Sequence, residues 1–409
     1  MVRISNTQLF MLIVAFEVGS TTLFALGIGA GRDAWIVVLL AALVGFCLLW
    51  VYTEIPKHYP DKHFSEILND VLGKKLAAIM LFLFCLYFYS QASHNFYEFG
   101  RLIKITALPL SPLLLIWYLF ILVVIYILCL GFEVLARTCE VLLPYLLFFL
   151  VTIYIFTLFS GQFDFDALRP VLGNGFQPVL ESLAYTVGFP FGEMVVFLMF
   201  LHLAETKQLI RKTVFLAVGL STVLLMISLI IMISVLGPEL TANSEIPLLE
   251  TILTINIAEI ITNLDSIAVF IMFIGGFYKT ALHFYGFSLT VTWLFKRLKL
   301  KSVMIIFGLS LPLFVHFRFP TFAHQRWYGE MSATYMIPLF AFLPVLLFII
   351  MIMKKKKNPP HERRMMMPDI LSVIKEDLLS GILLVGGSLY AAVLVLVMLY
   401  HTVTLLFKR

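Results

Sequence analysis

Long apolar runs, separated by short polar loops, dominate the chain. Most of the runs have 20 to 25 residues, the length that an α-helix needs to cross ~30 Å of hydrocarbon. The pattern therefore predicts an all-α integral membrane protein. The predicted spans are 9–30, 34–53, 77–100, 108–131, 139–160, 179–203, 213–236, 264–295, 303–317 with its flanks, 332–353 and 378–407.

Helix-breaking residues interrupt two of these runs near their middle. A rise of ~1.5 Å per residue places both breaks near the centre of the bilayer. Main-chain groups freed by a break must face protein, water or a ligand, because lipid cannot satisfy them. The interrupting residues are Gly19, Ser20, Thr21 and Thr22 in the first run, and Gly188, Phe189, Pro190, Phe191 and Gly192 in the sixth.

The first ten runs divide into two halves, each of which opens with a broken helix. An odd number of helices per half places the second half in the membrane with the opposite topology. Inverted repeats with a broken first helix are typical of sodium- or proton-coupled amino-acid transporters. The sequence thus predicts a 5+5 inverted-repeat core of the LeuT and amino acid-polyamine-organocation type, with discontinuous helices 1 and 6.

Residues after 353 are predicted to lie outside this core. Four consecutive lysines, 354–357, and a Pro-rich stretch follow the tenth run. This composition is typical of a linker in the cytoplasm. We predict a ten-helix permease-like core over residues 1–353, a basic cytoplasmic linker over 354–375 and one additional C-terminal transmembrane segment over 376–409.

The two breaks predict a small-molecule site at mid-membrane. Main-chain N–H groups of Ser20, Thr21 and Thr22, after Gly19, would face a carboxylate, and carbonyls near Gly188 and Phe189 would face an ammonium group. In this interpretation Pro190 and Gly192 complete the ligand site. The alternative is that the small residues only permit close packing of helices.

Ionisable and polar side chains inside the spans are further candidates. Glu17 precedes the first break, Glu193 follows the second, and Lys279 lies midway along the eighth run. Glu193 and Lys279 are predicted to couple to protons or ions, with Lys279 as a fixed cation in place of sodium, or else to form a buried pair that locks helices together. A polar stripe of Tyr87, Gln91, His94 and Glu98 is predicted to line the cavity, with Tyr87 and Gln91 as ligand contacts, or else to form a seam between helices.

Composition and charge agree with the membrane assignment. Hydrophobic residues make up 61% of the chain and charged residues only 13%. The net charge of +5 arises from basic residues in loops, so it predicts orientation and not a nucleic-acid partner. Most of them lie in loops on the same side as the N-terminus, which predicts a cytoplasmic N-terminus. Four scattered cysteines and the absence of catalytic motifs predict no metal, no cofactor and no enzyme activity.

Four segments resemble the B subunit of spore nutrient germinant receptors, a permease-like family of the amino acid-polyamine-organocation superfamily. They are 4–10, 16–23, 31–36 and 189–193. The resemblance implies a multi-pass protein of the spore inner membrane that binds a nutrient, such as an amino acid, and signals with A and C receptor subunits. A proton-coupled amino-acid permease is the alternative, since both would use the same binding site.

Overall fold

The computed structural model describes residues 3–255 and 265–357. Within these ranges the protein is all-helical, apart from a single isolated β-bridge between Ile4 and Ala204. The predicted transmembrane segment at 376–409 and most of the predicted linker at 354–375 lie outside the described residues.

The first half contains six α-helices, and the first of them is short. A capping box at Ser5 and Gln8 starts α1, in which Ser5 accepts from the Gln8 N–H and Gln8 accepts from the Ser5 N–H, both at 3.0 Å. Gly131, at φ 123°, makes the tight turn between the last two helices of this half. The helices are α1 Asn6–Val18, α2 Ala34–His58, α3 Phe64–Leu72, α4 Lys74–Thr106, α5 Leu113–Leu130 and α6 Phe132–Phe159.

The second half begins with the other broken helix. After α7 the chain continues as a 3₁₀ helix, Phe191–Met199. A π-helical turn, Pro338–Phe342, connects the last two helices. The α-helices are α7 Gln177–Gly188, α8 Ile210–Asn243, α9 Pro247–Leu253, α10 Asp265–Leu294, α11 Leu300–Arg318, α12 Phe322–Tyr335 and α13 Leu343–Lys357.

Nine helical segments within residues 3–255 and 265–357 are long and apolar enough to cross a membrane. Together with α1, which stops at its break, they correspond to the ten predicted core spans. One prediction differs in detail. The tenth span begins at Phe322 and not near 332.

The centre of the bundle is formed by α1, α4 and α10. Phe16 and Val18 of α1 are fully buried, as are Phe88 of α4 and Ala281 of α10. By contrast, α5, α6 and α11 carry apolar side chains on the outside, with Leu119 55%, Phe148 64% and Ile306 65% exposed. Apolar exposure of this kind suits contact with lipid, which does not penalise it.

The two ends of the bundle are built differently. At the end that contains the N-terminal segment, here called the N-terminal side, Ile4 donates to the Leu203 carbonyl at 3.0 Å, and Glu205 donates to the Ile4 carbonyl at 2.9 Å. These bonds tie the start of α1 to the chain that follows the second broken helix. The opposite side contains the loop after the first break and the start of α12.

Candidate functional site

Both predicted helix breaks are present. α1 ends at Val18, and after Gly19 and Ser20 only one 3₁₀ turn follows, Thr21–Leu23, before the backbone becomes extended at Phe24. α7 ends at Gly188, and Phe189 and Pro190 separate it from the 3₁₀ helix that follows. Since Pro190 has no N–H group, it cannot continue the hydrogen-bond ladder of α7.

Three glycines at the breaks lie at close helix contacts. A Cβ atom at Gly19 would overlap the backbone of Gly275 on α10. At Gly188 it would lie 2.7 Å from the carbonyl oxygen of Ala333, and at Gly192 it would lie 2.8 Å from the Phe340 ring. The absence of a side chain at these three glycines therefore allows close helix packing, which the alternative to a ligand site requires.

A buried ion pair lies between the two breaks. The Lys279 ammonium and a Glu193 carboxylate oxygen are 2.7 Å apart, and the side chains are 0% and 3% exposed. Lys279 also lies 3.4 Å from the Thr21 hydroxyl and 4.0 Å from the centre of the Phe189 ring. Thus one ammonium group on α10 contacts residues from both broken segments.

Glu17 and His283 extend this group, which we call the central polar cluster: Glu17, Thr21, Glu193, Lys279 and His283. Neither Glu17 oxygen has a hydrogen-bond partner among the described residues, although the side chain is fully buried. His283 uses Nδ1 for a 3.0 Å contact with the Lys279 carbonyl. A buried carboxyl group without a partner is costly when ionised, so Glu17 needs a proton or a second cation.

A cavity of about 360 Å³ adjoins this cluster and is bordered by the loop after the first break and by α12, on the side opposite the N-terminus. We call it the main cavity. Its walls come from both broken segments and from α4 and α12. The lining residues used below are Gln91, His94, Glu98, Tyr185, Phe189, Glu193, Arg326 and Glu330, with the backbone segment 24–29.

The predicted ligand residues divide into two groups. Gln91 and Phe189 line the main cavity, whereas the other predicted ligand contacts do not. Those others are Gly19, Ser20, Thr21, Thr22, Tyr87, Gly188, Pro190 and Gly192. The chain makes a 3₁₀ turn directly after the first break, and the first broken segment lines the cavity with residues 24–29 instead of 19–22.

Sequence reasoning missed Arg326 and Glu330. These residues lie on α12, in a segment that was predicted to be a loop because its polar residues interrupt the apolar pattern. The Arg326 guanidinium donates to the carbonyls of Ser244 and Glu245, at 3.1 and 3.3 Å, and so holds the loop after α8 against α12. The density of polar residues between the ninth and tenth runs was the signal that could have identified this wall.

Polar residues of α4 and α12 form a second network beside the cavity. Gln325 lies 2.6 Å from Nε2 of His94 and donates to Oε2 of Glu98 at 3.3 Å. Oε1 of Glu98 has no hydrogen-bond partner among the described residues. The predicted polar stripe thus faces both a neighbouring helix and the cavity, and its carboxylate retains acceptor capacity. No group of His, Cys, Asp and Glu side chains within the described ranges could hold a metal ion.

Comparison with known proteins identifies the family. The family described as "Spore germination protein", a spore permease family, matches residues 3–323. The chain belongs to this spore germination permease family. It is 36% identical over 310 residues to spore germination protein KB of Bacillus subtilis (strain 168), covering 76% of this chain and 83% of that protein. Spore germination protein YndE of the same strain is 25% identical over 320 residues, with coverages of 78% and 86%.

Solved structures with the same fold are transporters of the LeuT type. MhsT in complex with L-phenylalanine superposes with a TM-score of 0.63 at 15% identity, covering 86% of this chain and 89% of that one. Mhp1, a nucleobase-cation-symport-1 family transporter with bromovinylhydantoin bound, superposes with a TM-score of 0.61 at 14% identity, with coverages of 85% and 79%. The predicted LeuT-like architecture with two discontinuous helices is therefore confirmed.

Proposed function

We propose that this protein is the membrane subunit of a spore germinant receptor that binds a small zwitterionic nutrient, an amino acid, in the main cavity. The observation that carries the proposal is the position of Glu98 and Glu193. Both carboxylates line a cavity of about 360 Å³ that both broken segments border. The cavity volume suits a ligand of metabolite size.

The charges around the cavity match the two ends of an amino acid. Glu98 and Glu193 supply acceptors for an ammonium group, and Arg326 supplies a cation for a carboxylate. Gln91 and Tyr185 add neutral polar groups between them. Charge-assisted hydrogen bonds of this kind are about twice as strong as neutral ones, and two oppositely charged ends also fix the ligand's orientation.

The ion pair offers a route from ligand binding to a conformational change. Glu193 and Phe189 both line the cavity, and both contact Lys279. A ligand ammonium that approaches Glu193 competes with Lys279 for the same carboxylate. Binding would therefore favour the arrangement of the broken segments in which Lys279 turns toward another partner, such as Glu17.

Orientation and assembly follow from the same proposal. With the N-terminus in the cytoplasm, as the basic loops predict, the main cavity opens outward from the spore's inner membrane. Signals would then pass to A and C receptor subunits, which the family resemblance implies. The solved relatives with L-phenylalanine or a hydantoin bound support a small ligand, because this chain shares their fold.

Glu98→Gln tests this site with little change in shape. We expect the nutrient concentration for half-maximal germination to rise about 10-fold or more, because a hydrogen bond to a charged group contributes about 1.5–3 kcal/mol. The matched control is Glu181→Gln on α7, an exposed carboxylate that accepts from Gln177 at 2.9 Å and does not line the main cavity. Germination of spores that carry each variant is measured with a panel of amino acids. The abundance of each variant protein in the inner membrane is measured in the same spores. An unchanged nutrient response in Glu98→Gln would contradict the site.

Glu17 favours one alternative, the proton-coupled permease. A buried carboxyl group without a hydrogen-bond partner is suited to take up and release a proton during transport. If the protein is a permease, purified protein in proteoliposomes should accumulate an amino acid when a proton gradient is applied. Glu17→Gln should then abolish gradient-driven accumulation and retain ligand binding. Absence of uptake by the unaltered protein, together with retained binding, would favour the receptor.

A further inference from the structure

A second cavity, of about 240 Å³, lies on the N-terminal side of the bundle, away from the main cavity. Five separate parts of the chain border it: the N-terminal segment, the loop before α3, the start of α6, the segment after the second broken helix, and α10. The lining residues are Arg3, Asp61, His63, Phe132, His202, Leu203, Lys207, Tyr285, Leu289 and Trp293. We call it the N-terminal cavity.

Basic groups outnumber acidic groups in this lining. Arg3 and Lys207 contribute two cations, and Asp61 is the one acidic residue among the lining side chains. Nδ1 of His63 lies 2.9 Å from Nε2 of His202, so one N–H of the neutral pair is used between the rings and the other remains as a further donor. Lys207 also donates to the His202 carbonyl, and this bond holds the Lys207 side chain at the cavity wall. The cavity therefore has a surplus of hydrogen-bond donors with positive charge.

Aromatic rings form the remaining wall. The His63 ring lies 6.0 Å from the Trp293 ring and 4.5 Å from the His202 ring, measured between centroids. On the other side, Tyr285 stacks on Phe132 at 5.4 Å. Rings of this kind favour a flat organic body, while the basic side chains favour its anionic groups.

From this arrangement we infer that the N-terminal cavity is a binding site for a small dissolved oxyanion, a carboxylate or phosphate compound. Arg3 and Lys207 pair with its charge, the imidazole N–H that is not used between His63 and His202 donates a hydrogen bond, and the rings of Trp293 and Tyr285 contact its body. Nothing in this inference depends on the proposed nutrient site, because the two cavities share no lining residue.

A bound anion would stabilise the contact between the N-terminal segment and the segment after the second broken helix. Arg3 directly precedes Ile4, which is hydrogen-bonded to Leu203 and Glu205. Lys207 lies two residues after Glu205 in the chain. An anion between Arg3 and Lys207 would therefore bridge the same two segments that these backbone bonds join. Binding should hold the start of α1 in place, so amide hydrogen exchange at residues 3–6 should slow when the anion is added.

Histidine gives the site a pH dependence. Burial, with His63 and Lys207 nearby, lowers the pKa of His202 to about 4, so that this ring is neutral near pH 7 in the empty cavity. The charged and titratable groups around it are His63, Lys207, Arg3, Asp61 and Tyr285. A bound anion offsets the repulsion and raises the pKa of His202. Since the bound state then holds more protons, affinity should increase as pH falls from about 7 toward about 4, the pKa of His202 in the empty cavity.

The test uses purified full-length protein in nanodiscs of zwitterionic lipid, titrated with sulfate and with isophthalate, a flat aromatic dianion. Sulfate keeps its charge between about pH 4 and pH 7, so any pH dependence of sulfate binding belongs to the protein, and isophthalate is titrated at about pH 7 only. Arg3→Gln and Lys207→Gln should each weaken binding about 5- to 10-fold, as expected for loss of one charge-assisted contact. The matched control is Lys212→Gln, an exposed lysine on the first turn of α8 that does not line the cavity.

Specific outcomes would overturn the inference. One is no binding of either probe, and another is equal weakening by Lys207→Gln and Lys212→Gln, which would indicate a general effect of charge. A third arm repeats the titration with anionic lipid in the nanodisc. If the basic residues affect retention of that lipid and not binding of the dissolved probes, the site recognises a lipid headgroup and the inference of a dissolved ligand is wrong. Probe binding that is unchanged by lipid composition supports it.

Discussion

Lys279→Met is expected to destabilise the protein by about 3–5 kcal/mol and to abolish the nutrient response. Methionine has a similar length but no charge, so the substitution leaves Glu193 buried without its cation. Lys279 is 0% exposed and its ammonium lies 2.7 Å from the Glu193 carboxylate. Glu17 is buried nearby and has no hydrogen-bond partner among the described residues. Removing the cation therefore leaves two buried carboxyl groups without a neutralising charge.

The double variant Lys279→Met/Glu193→Gln separates stability from function. With both charges removed, most of the lost stability should return, because replacing a buried pair by neutral groups is often close to neutral. The nutrient response should remain absent if the pair links the cavity to the broken helices. Thermal unfolding of the purified variants measures the first effect, and spore germination measures the second. If the double variant germinates normally, the pair only locks helices together, as the structural interpretation holds.

The breaks in helices 1 and 6 could be predicted because the cause is local. Pro190 removes a backbone donor wherever it lies, and a run of Gly, Ser and Thr at 19–22 weakens a helix in any context. The ionisable residues inside the spans could be identified equally well, since Glu17, Glu193 and Lys279 lie within apolar runs. The sequence left open whether Glu193 and Lys279 form a buried pair, because their contact depends on how α10 is rotated against the two breaks.

The walls of the main cavity could be predicted only in part. Gln91 belongs to a polar stripe along one continuous helix, and the helical spacing of that stripe predicted that this side of the helix lines a cavity. Arg326 and Glu330 were missed because α12 begins ten residues earlier than the apolar pattern indicated. The ligand contacts predicted at 19–22 assumed a second helical half after the break. A single 3₁₀ turn follows instead, and this short turn brings 24–29 to the cavity.

Glycines on facing helices set the position of the ion pair. Gly275 and Lys279 are four residues apart on α10, so they lie on the same face of the helix. A Cβ atom at Gly275 would overlap the backbone of Gly19, which shows that α1 and α10 touch main chain to main chain at the first break. This contact brings Lys279 within reach of Thr21 and Glu193, because no side chain separates the helices.

Gly275→Ala should therefore have a large effect for a single added methyl group. Overpacking in a tight core costs about 1–3 kcal/mol, and here the obstacle is backbone that cannot rotate away, so we expect about 3 kcal/mol or more. The matched control is Gly286→Ala on the same helix, where the nearest atom is a Val196 methyl carbon at 3.0 Å that can shift. Alanine also favours helix over glycine at both positions, so helix propensity does not distinguish them.

The measurement compares thermal unfolding and spore germination for the two alanine variants. Gly275→Ala should lose stability and the nutrient response together, because separating α1 from α10 moves Lys279 away from Thr21 and Glu193. Gly286→Ala should behave nearly as the unaltered protein. Equal behaviour of the two variants would show that α1 and α10 do not meet at Gly19 and Gly275. Without that contact, the ion pair would no longer be placed between the two breaks, and the proposed coupling of the main cavity to both broken helices would fail with it.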